Sequence, residues 1–199
     1  MSEPRQLFAM MLDLAQRRCL VVGAGNVGEG KIRGLLASGA KIVVVAPAAT
    51  AQVLAWARDG ALEYRQRAFQ ANDLENMFLV VAATSDNQVN HRIHAEARRR
   101  QVLCNVVDDP EHCDFFYPAV VRRGPLQIAI STAGVSPAFA RRLREALEAQ
   151  FGEEYADWLE EASRRRQEIL CTVADPAERR RLLEELAASS PLSRRKDGA

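Results

Sequence analysis

Residues 19–47, CLVVGAGNVGEGKIRGLLASGAKIVVVAP, decide the fold. An apolar run leads into Gly23-Ala24-Gly25-Asn26-Val27-Gly28, an amphipathic stretch to about residue 38 follows, and a second apolar run ends at Ala46-Pro47. Strand, glycine turn, helix and strand in that order open a dinucleotide site. Each glycine of G-x-G-x-x-G has a task in that setting. Gly23 makes the tight turn, Gly25 lets the backbone approach a pyrophosphate, and Gly28 lets helix and strand pack closely. The helix start then offers free N–H groups and the positive dipole end to phosphate. The competing reading is a tight turn in an α/β fold that binds nothing there.

One departure stands out in this stretch. An NAD enzyme usually carries Asp or Glu after the second strand for the ribose hydroxyls, and here Ala46 and Pro47 follow it. No arginine stands there for a 2′-phosphate either, although Lys41 opens the strand. NAD and NADP both remain open from the sequence, with NAD favoured, because a 2′-phosphate needs positive partners more than a ribose needs one particular carboxylate.

Outward from this unit the same rhythm continues. Strands are predicted near 19–23, 41–46, 61–65, 77–83 and 102–107, with helices near 26–38, 50–59, 71–76 and 86–100. The runs KIVVVA, FLVVAA and VLCNVV are apolar at nearly every position, as strands covered on both faces must be. A parallel sheet with helices on both faces follows. After Pro110 the pattern changes. DFFYPAVVRRGPLQIAIST reads as an antiparallel pair joined at Arg123-Gly124-Pro125. Ser136-Pro137 then supplies an N-cap and an N1 proline, and Phe139, Leu143, Leu147 and Phe151 share one helix face. Two more helices are expected near 153–170 and 175–188, and the polar, basic end from 189 to 199 is expected to be disordered. A hairpin and a few helices have little of their own to bury against, which predicts a homodimer.

Composition narrows the function classes. The chain has 199 residues, 48% hydrophobic and 27% charged, with net charge +1. That balance gives no bulk reason to expect nucleic acid as a partner. No apolar run approaches the roughly 18 residues of a membrane span, and the N-terminal residues lack a signal-peptide pattern, so a cytoplasmic protein is expected. Four cysteines, Cys19, Cys104, Cys113 and Cys171, include no CxxC pair, which argues against a disulfide framework or a structural zinc site. No metal site is expected: His112 and Cys113 read as loop and core residues, His91 and His94 as surface residues of a helix.

Three further segments carry candidate chemistry. In VAATSDNQVN, residues 81–90, the small residues Ala82, Ala83 and Thr84 let a flat ligand lie against the sheet's carboxyl edge, or else the segment is a close-packed turn capped by Ser85 or Asp86. In CNVVDDPEHC, Val107 ends a buried strand, and Asp108 and Asp109 follow on the edge where a nicotinamide would lie. A carboxylate there can accept a proton as hydride leaves to the ring, while Asp-Pro is also ordinary turn chemistry. In STAGVSPAFARRLREALE, a Gly and Ser/Thr-rich turn precedes an arginine-bearing helix, suited to carboxylates of an anionic substrate. The alternative pairs Arg141 and Arg144 with Glu145 and Glu148 on a solvated face.

Taken in order, the glycine unit, VVAATSDNQVN, CNVVDDP and FFYPAVVRRGPLQIAISTAGVSPAFARRLREALE resemble the precorrin-2 dehydrogenases of siroheme synthesis, including the N-terminal part of fused siroheme synthases. The resemblance runs from about residue 5 to 150, and the "VVAP" ending without its acid belongs to that pattern. Such proteins oxidise precorrin-2 to sirohydrochlorin with NAD+, and some also insert Fe2+. The resemblance implies a Rossmann-type α/β domain over 1–112, a small α+β dimerisation region over 113–150 and a helical domain over 151–188. It implies Asp108, the first Asp of "NVVD", as the residue important for chemistry. Gly23, Gly25, Asn26, Val27 and Gly28, with Ala46, Pro47, Ala83, Thr84 and Val107, are the expected NAD contacts. Ser131, Thr132, Gly134 and Ser136 match the family's "S-S/T-G-G-x-S-P" turn, with Ala133 in place of its first Gly. With Arg122, Arg123, Arg141 and Arg142 they would meet the polycarboxylated macrocycle. A different class, an NAD-sensing regulatory module, shares the glycine turn and an "ATSDN"-like segment but has no need of the "GVSP" turn.

Overall fold

The computed structural model describes residues 6–192, and the chain divides into two compact units, one over Phe8–Tyr117 and one dominated by the residues from 118 onward. Each is described by itself.

The first unit is built on the apolar runs. β1 (Arg18–Ala24), β2 (Lys41–Ala49), β3 (Glu63–Arg65), β4 (Leu79–Ala82) and β5 (Leu103–Val106) form one parallel sheet in the order β3-β2-β1-β4-β5. Helices α1 (Asn26–Leu36), α2 (Ala51–Arg58) and α3 (Asn87–Arg99) connect them. Alternate residues of each central strand serve two cores. Cys19, Val21, Val44 and Val81 pack with Ile32 and Leu35 of α1, whereas Leu20, Val22, Val45 and Val80 pack with Ile93 and Ala97 of α3. This two-sided burial explains why the strands lack polar alternation. Burial pushes the thiols of Cys19 and Cys104 up to about 11 and about 12, so both behave as small apolar side chains. The order reverses direction between β1 and β4, and that switch point leaves a crevice beyond the strands' carboxyl ends.

The helix expected over 71–76 is instead a single 3-10 turn, Ala71–Leu74. The reason is tertiary. Asp73 is 2% exposed, and its carboxylate accepts hydrogen bonds from Arg65 (2.9 Å), Arg67 (2.8 Å) and the Gln70 N–H (2.9 Å). Those bonds fold the segment back on β3, while Leu74 and Met77 fill the core.

In the second unit, β6 (Ala119–Arg123) and β7 (Leu126–Ile130) pair antiparallel across Gly124-Pro125. Helices α4 (Pro137–Gln150), α5 (Glu154–Thr172) and α6 (Pro176–Ala188) follow. Ser136 and Asp175 cap α4 and α6 through their side chains, with proline next in both, as the sequence indicates. The expected disordered tail lies, from residue 193, outside the described residues. Among the described residues, no helix is long and apolar enough to cross a membrane.

Candidate active site

At the switch point lies a cleft of about 850 Å3, within the size range of small-molecule sites. Its floor is the glycine turn. Gly23 holds φ +101°, and a Cβ there would come within 2.3 Å of the Ala83 carbonyl oxygen. A Cβ on Gly28 would meet the Gly23 carbonyl oxygen at 2.2 Å, so this glycine lets α1 sit against β1. Gly25 differs. Nothing lies within 4 Å of its Cβ position, and it caps α1 without a side-chain hydrogen bond. Open space beside helix N–H groups lacking a side-chain cap is what a pyrophosphate requires, and the residues fit such a ligand.

The wall over Ala46 and Pro47 comes from a change of register. Val22 pairs with Val45, but Ala24 pairs with Ala49, so three residues of β2 lie opposite Gly23 alone and turn into the cleft. The Tyr64 hydroxyl donates to the Ala46 carbonyl oxygen at 2.9 Å and holds that loop. On the other side, Thr84 is fixed by Asn90, which is 3% exposed. The Asn90 side chain donates to the Thr84 carbonyl (3.0 Å), and its amide oxygen lies 2.8 Å from the Thr84 hydroxyl. Asp86, not Ser85, caps α3. Of the expected cofactor residues, all but Gly28 line the cleft, and Gly28 stands one layer behind as a packing glycine.

Asp108 reaches the cleft from the loop after β5 in the left-handed conformation, φ +60°, uncommon for a residue other than glycine. The loop is tied down on both sides of it. Asn105 donates to the Phe115 carbonyl (2.8 Å), the Cys113 thiol lies 3.1 Å from the Val106 carbonyl, and the Asp114 carboxylate accepts from the Cys104 N–H at 2.9 Å. These polar residues re-aim the chain so that Asp108 faces the cleft and Asp109 faces α3. Lys31 of α1 feels the Asp108 charge. Burial lowers its pKa, the negative charge of Asp108 opposes that, and its ammonium sits 3.9 Å from the centre of the Tyr117 ring.

Residues 10–119 match the family described as putative NAD(P)-binding, and residues 123–150 match the sirohaem biosynthesis protein central family. A solved structure of "SirC, precorrin-2 dehydrogenase" aligns with a TM-score of 0.82 at 31% identity, covering 96% of each chain. The chain belongs to the precorrin-2 dehydrogenase family. Other relatives of this precorrin-2 dehydrogenase-family chain are longer proteins. Siroheme synthase 2 of Cronobacter sakazakii is 39% identical over 181 residues, and siroheme synthase of Neisseria meningitidis is 38% identical over 178 residues. These matches take in 91% and 89% of the chain but only 40% and 37% of those proteins. The residues lining the cleft all fall within the stretch that matches the NAD(P)-binding family.

The substrate residues expected from sequence lie in the second unit. Arg122, Arg141 and Arg142 are exposed. Arg123 is committed internally: its guanidinium donates to the Glu148 carbonyl (3.1 Å) and lies 3.4 Å from Glu153. Arg144 pairs with Glu148 at 2.6 Å, one of the solvated pairs the spacing allows. In the turn, the Ser131 hydroxyl accepts from the Ala133 N–H, Thr132 from the Ser136 N–H and Ser136 from the Phe139 N–H. These hydroxyls shape the turn, and Ala133 and Gly134 hold φ of +50° and +84°. Two residues went unassigned in the sequence, Asn90 and Lys31, whose partners lie on other elements; His91, expected as a surface residue, is exposed and stacks on His112 with ring centroids 4.5 Å apart.

Proposed function

We propose that this chain oxidises precorrin-2 to sirohydrochlorin, with NAD+ as oxidant and Asp108 as proton acceptor. The observation that carries the reading is Asp108 itself, held at φ +60° on the edge of a nicotinamide-cofactor cleft by bonds on both flanks of its loop. Backbone in this region persists only where its surroundings over-determine it. NAD+, when bound, accepts the hydride. The carboxylate of Asp108 takes the proton released as the ring gains conjugation, and Lys31 of α1 supplies a positive charge close to it. Asn26 and Val27 at the start of α1 offer their N–H groups to the pyrophosphate, and Ala46, Pro47, Ala83 and Thr84 present small surfaces to the rest of the dinucleotide.

NAD is favoured over NADP. Arg92 is the only cation among the described cleft residues, and its guanidinium donates to the Phe69 carbonyl (3.1 Å) and lies 5.6 Å from the Phe69 ring. Arg122, Arg141 and Arg142, with the Ser131–Ser136 turn, are assigned to the substrate's carboxylates, and Arg123 to holding the hairpin on α4. The division into a cofactor domain (1–112), a dimerisation region (113–150) and a helical domain (151–188) belongs to the same proposal. A homodimer is supported by Val135 in the turn before α4 and by Phe139 and Leu143 on that helix, which are 76%, 58% and 36% exposed.

The test is an anaerobic assay with precorrin-2 and NAD+, with NADP+ in parallel, following NADH and the macrocycle absorption. Conversion with NAD+, at least about tenfold faster than with NADP+, is expected. Asp108→Asn should keep NAD+ affinity within about threefold and lose turnover by about 100-fold or more, as for removal of a proton-transfer group. Turnover of that variant near the parent's rate removes Asp108 from the mechanism, and no conversion with either cofactor removes the substrate assignment. A monomeric mass by light scattering at micromolar concentration removes the dimer.

A further inference from the structure

Beside the cleft, on the far side of the Asp108 turn, three ligand-type side chains meet. The Asp109 carboxylate oxygen Oδ2 lies 3.0 Å from Nε2 of His91 and 2.7 Å from Nδ1 of His112. The three ligand atoms all fall within 4.8 Å of one another. His91 comes from α3, whereas Asp109 and His112 come from the turn after β5. His94, one helical turn beyond His91, packs its ring edge-on against His112 at 4.7 Å.

We propose that His91, Asp109 and His112 bind a divalent first-row transition-metal ion, with one coordination position left open to solvent. Two imidazole nitrogens and one carboxylate oxygen form a borderline donor set that suits Zn2+, Co2+, Ni2+ or Fe2+, while Mg2+ and Ca2+ prefer oxygen alone. Metal–ligand bonds of about 2.1 Å in tetrahedral geometry place ligand atoms about 3.4 Å apart. The two carboxylate–imidazole separations, 3.0 and 2.7 Å, would open by about 0.4 and about 0.7 Å to reach that spacing around an ion. The side chains are partly exposed, His91 at 52%, Asp109 at 29% and His112 at 33%, so the ion has an entry path and keeps room for water or another ligand. Three protein ligands and an open position characterise reactive rather than purely structural sites.

The position gives the ion a consequence for the cleft. Asp109 follows directly on Asp108, and its coordination would tie the Asp108 turn to α3, whose first turns carry Asn87, Val89 and Asn90 along the cleft wall. Binding of the ion therefore stiffens the acidic edge. This inference stands on the three side chains and does not depend on precorrin-2 oxidation.

The experiment uses the untagged full chain, freed of metal by chelator and dialysis, and titrated with Co2+. One equivalent should give the visible d–d absorption of a four- or five-coordinate nitrogen and oxygen site, which Zn2+ then displaces. His91→Gln, Asp109→Asn and His112→Gln should each weaken Co2+ binding by about 10-fold or more, while Asp108→Asn leaves it unchanged. NAD+ affinity and melting temperature, measured on every variant, identify any that is misfolded. Absence of saturable Co2+ absorption at millimolar concentration overturns the proposal and leaves a hydrogen-bonded His–Asp–His cluster. Parent-like binding by the His91→Gln/His112→Gln double variant overturns it equally. Neither readout needs turnover, so failure here is separate from failure of the dehydrogenase reading.

Discussion

Gly25→Ala and Gly28→Ala change similar residues in one turn, and the structure separates their effects. In Gly28→Ala the new methyl meets the Gly23 carbonyl oxygen at 2.2 Å, more than about 1 Å inside ordinary contact, and the carbonyl carbon at 3.0 Å. Both atoms are backbone, so relief requires α1 to lift off β1. Overpacking of this kind costs about 1–3 kcal/mol, and a rigid neighbour puts it at the upper end. For a unit of this size that lowers the melting temperature by about 10 °C or more. In Gly25→Ala the methyl meets nothing within 4 Å, and Gly25 has φ −77° and ψ −172°, which alanine adopts freely. A modest loss of capping preference is offset by reduced freedom of the unfolded chain, leaving stability within about 1 kcal/mol of the parent. The methyl does occupy the space a pyrophosphate needs. Loss of one charge-assisted hydrogen bond, worth about 1.5–3 kcal/mol, weakens cofactor binding by about 10- to 100-fold. Thermal melts paired with NADH fluorescence titrations measure both quantities. Gly25→Ala binding NADH with the parent's Kd, or Gly28→Ala melting with the parent, would refute the assignment of separate tasks to the two glycines.

Asp73→Ala strips Arg65 and Arg67 of their shared carboxylate. A buried pair broken from one side costs about 3–5 kcal/mol, but these arginines are 29% and 36% exposed and regain water, so a loss of about 2–3 kcal/mol in urea denaturation is expected. Burial alone raises the Asp73 pKa, and the bonds from Arg67, the Gln70 N–H and Arg65 outweigh it, so the net shift is below the ordinary 3.8. The stabilisation is therefore present above about pH 4 and is lost as falling pH protonates the folded carboxylate. The parent should lose stability on that acid limb more steeply than Asp73→Ala, and parallel curves would contradict this. Ala133→Gly relieves a left-handed alanine, φ +50°, and should stabilise the second unit by about 0.5–1 kcal/mol after the extra entropy of glycine is set against it. A lower melting temperature in that variant would show that the turn tolerates its alanine without strain.

The sequence alone determined what depends on neighbours along the chain. Apolar continuity over 41–46, 78–83 and 102–107 marks strands buried on both faces, and Gly23, Gly25 and Gly28 mark the turn because only they allow its approaches. Ser136-Pro137 and Asp175-Pro176 mark helix starts because a cap and an N1 proline act within one turn. Tertiary structure decided what depends on partners brought from elsewhere. The Ala24–Ala49 pairing that pushes Ala46 and Pro47 into the cleft, the Arg65–Asp73–Arg67 network that makes 71–74 a 3-10 turn, and the left-handed Asp108 are not legible in local pattern. His91 reads as a surface residue on its own helix. It meets Asp109 and His112 only because β5 lies at the sheet edge under α3, where the turn after the strand folds back against the helix. Period and capping are local properties of a chain, whereas a site's geometry is set by which strands become neighbours, and that is decided by packing the whole core.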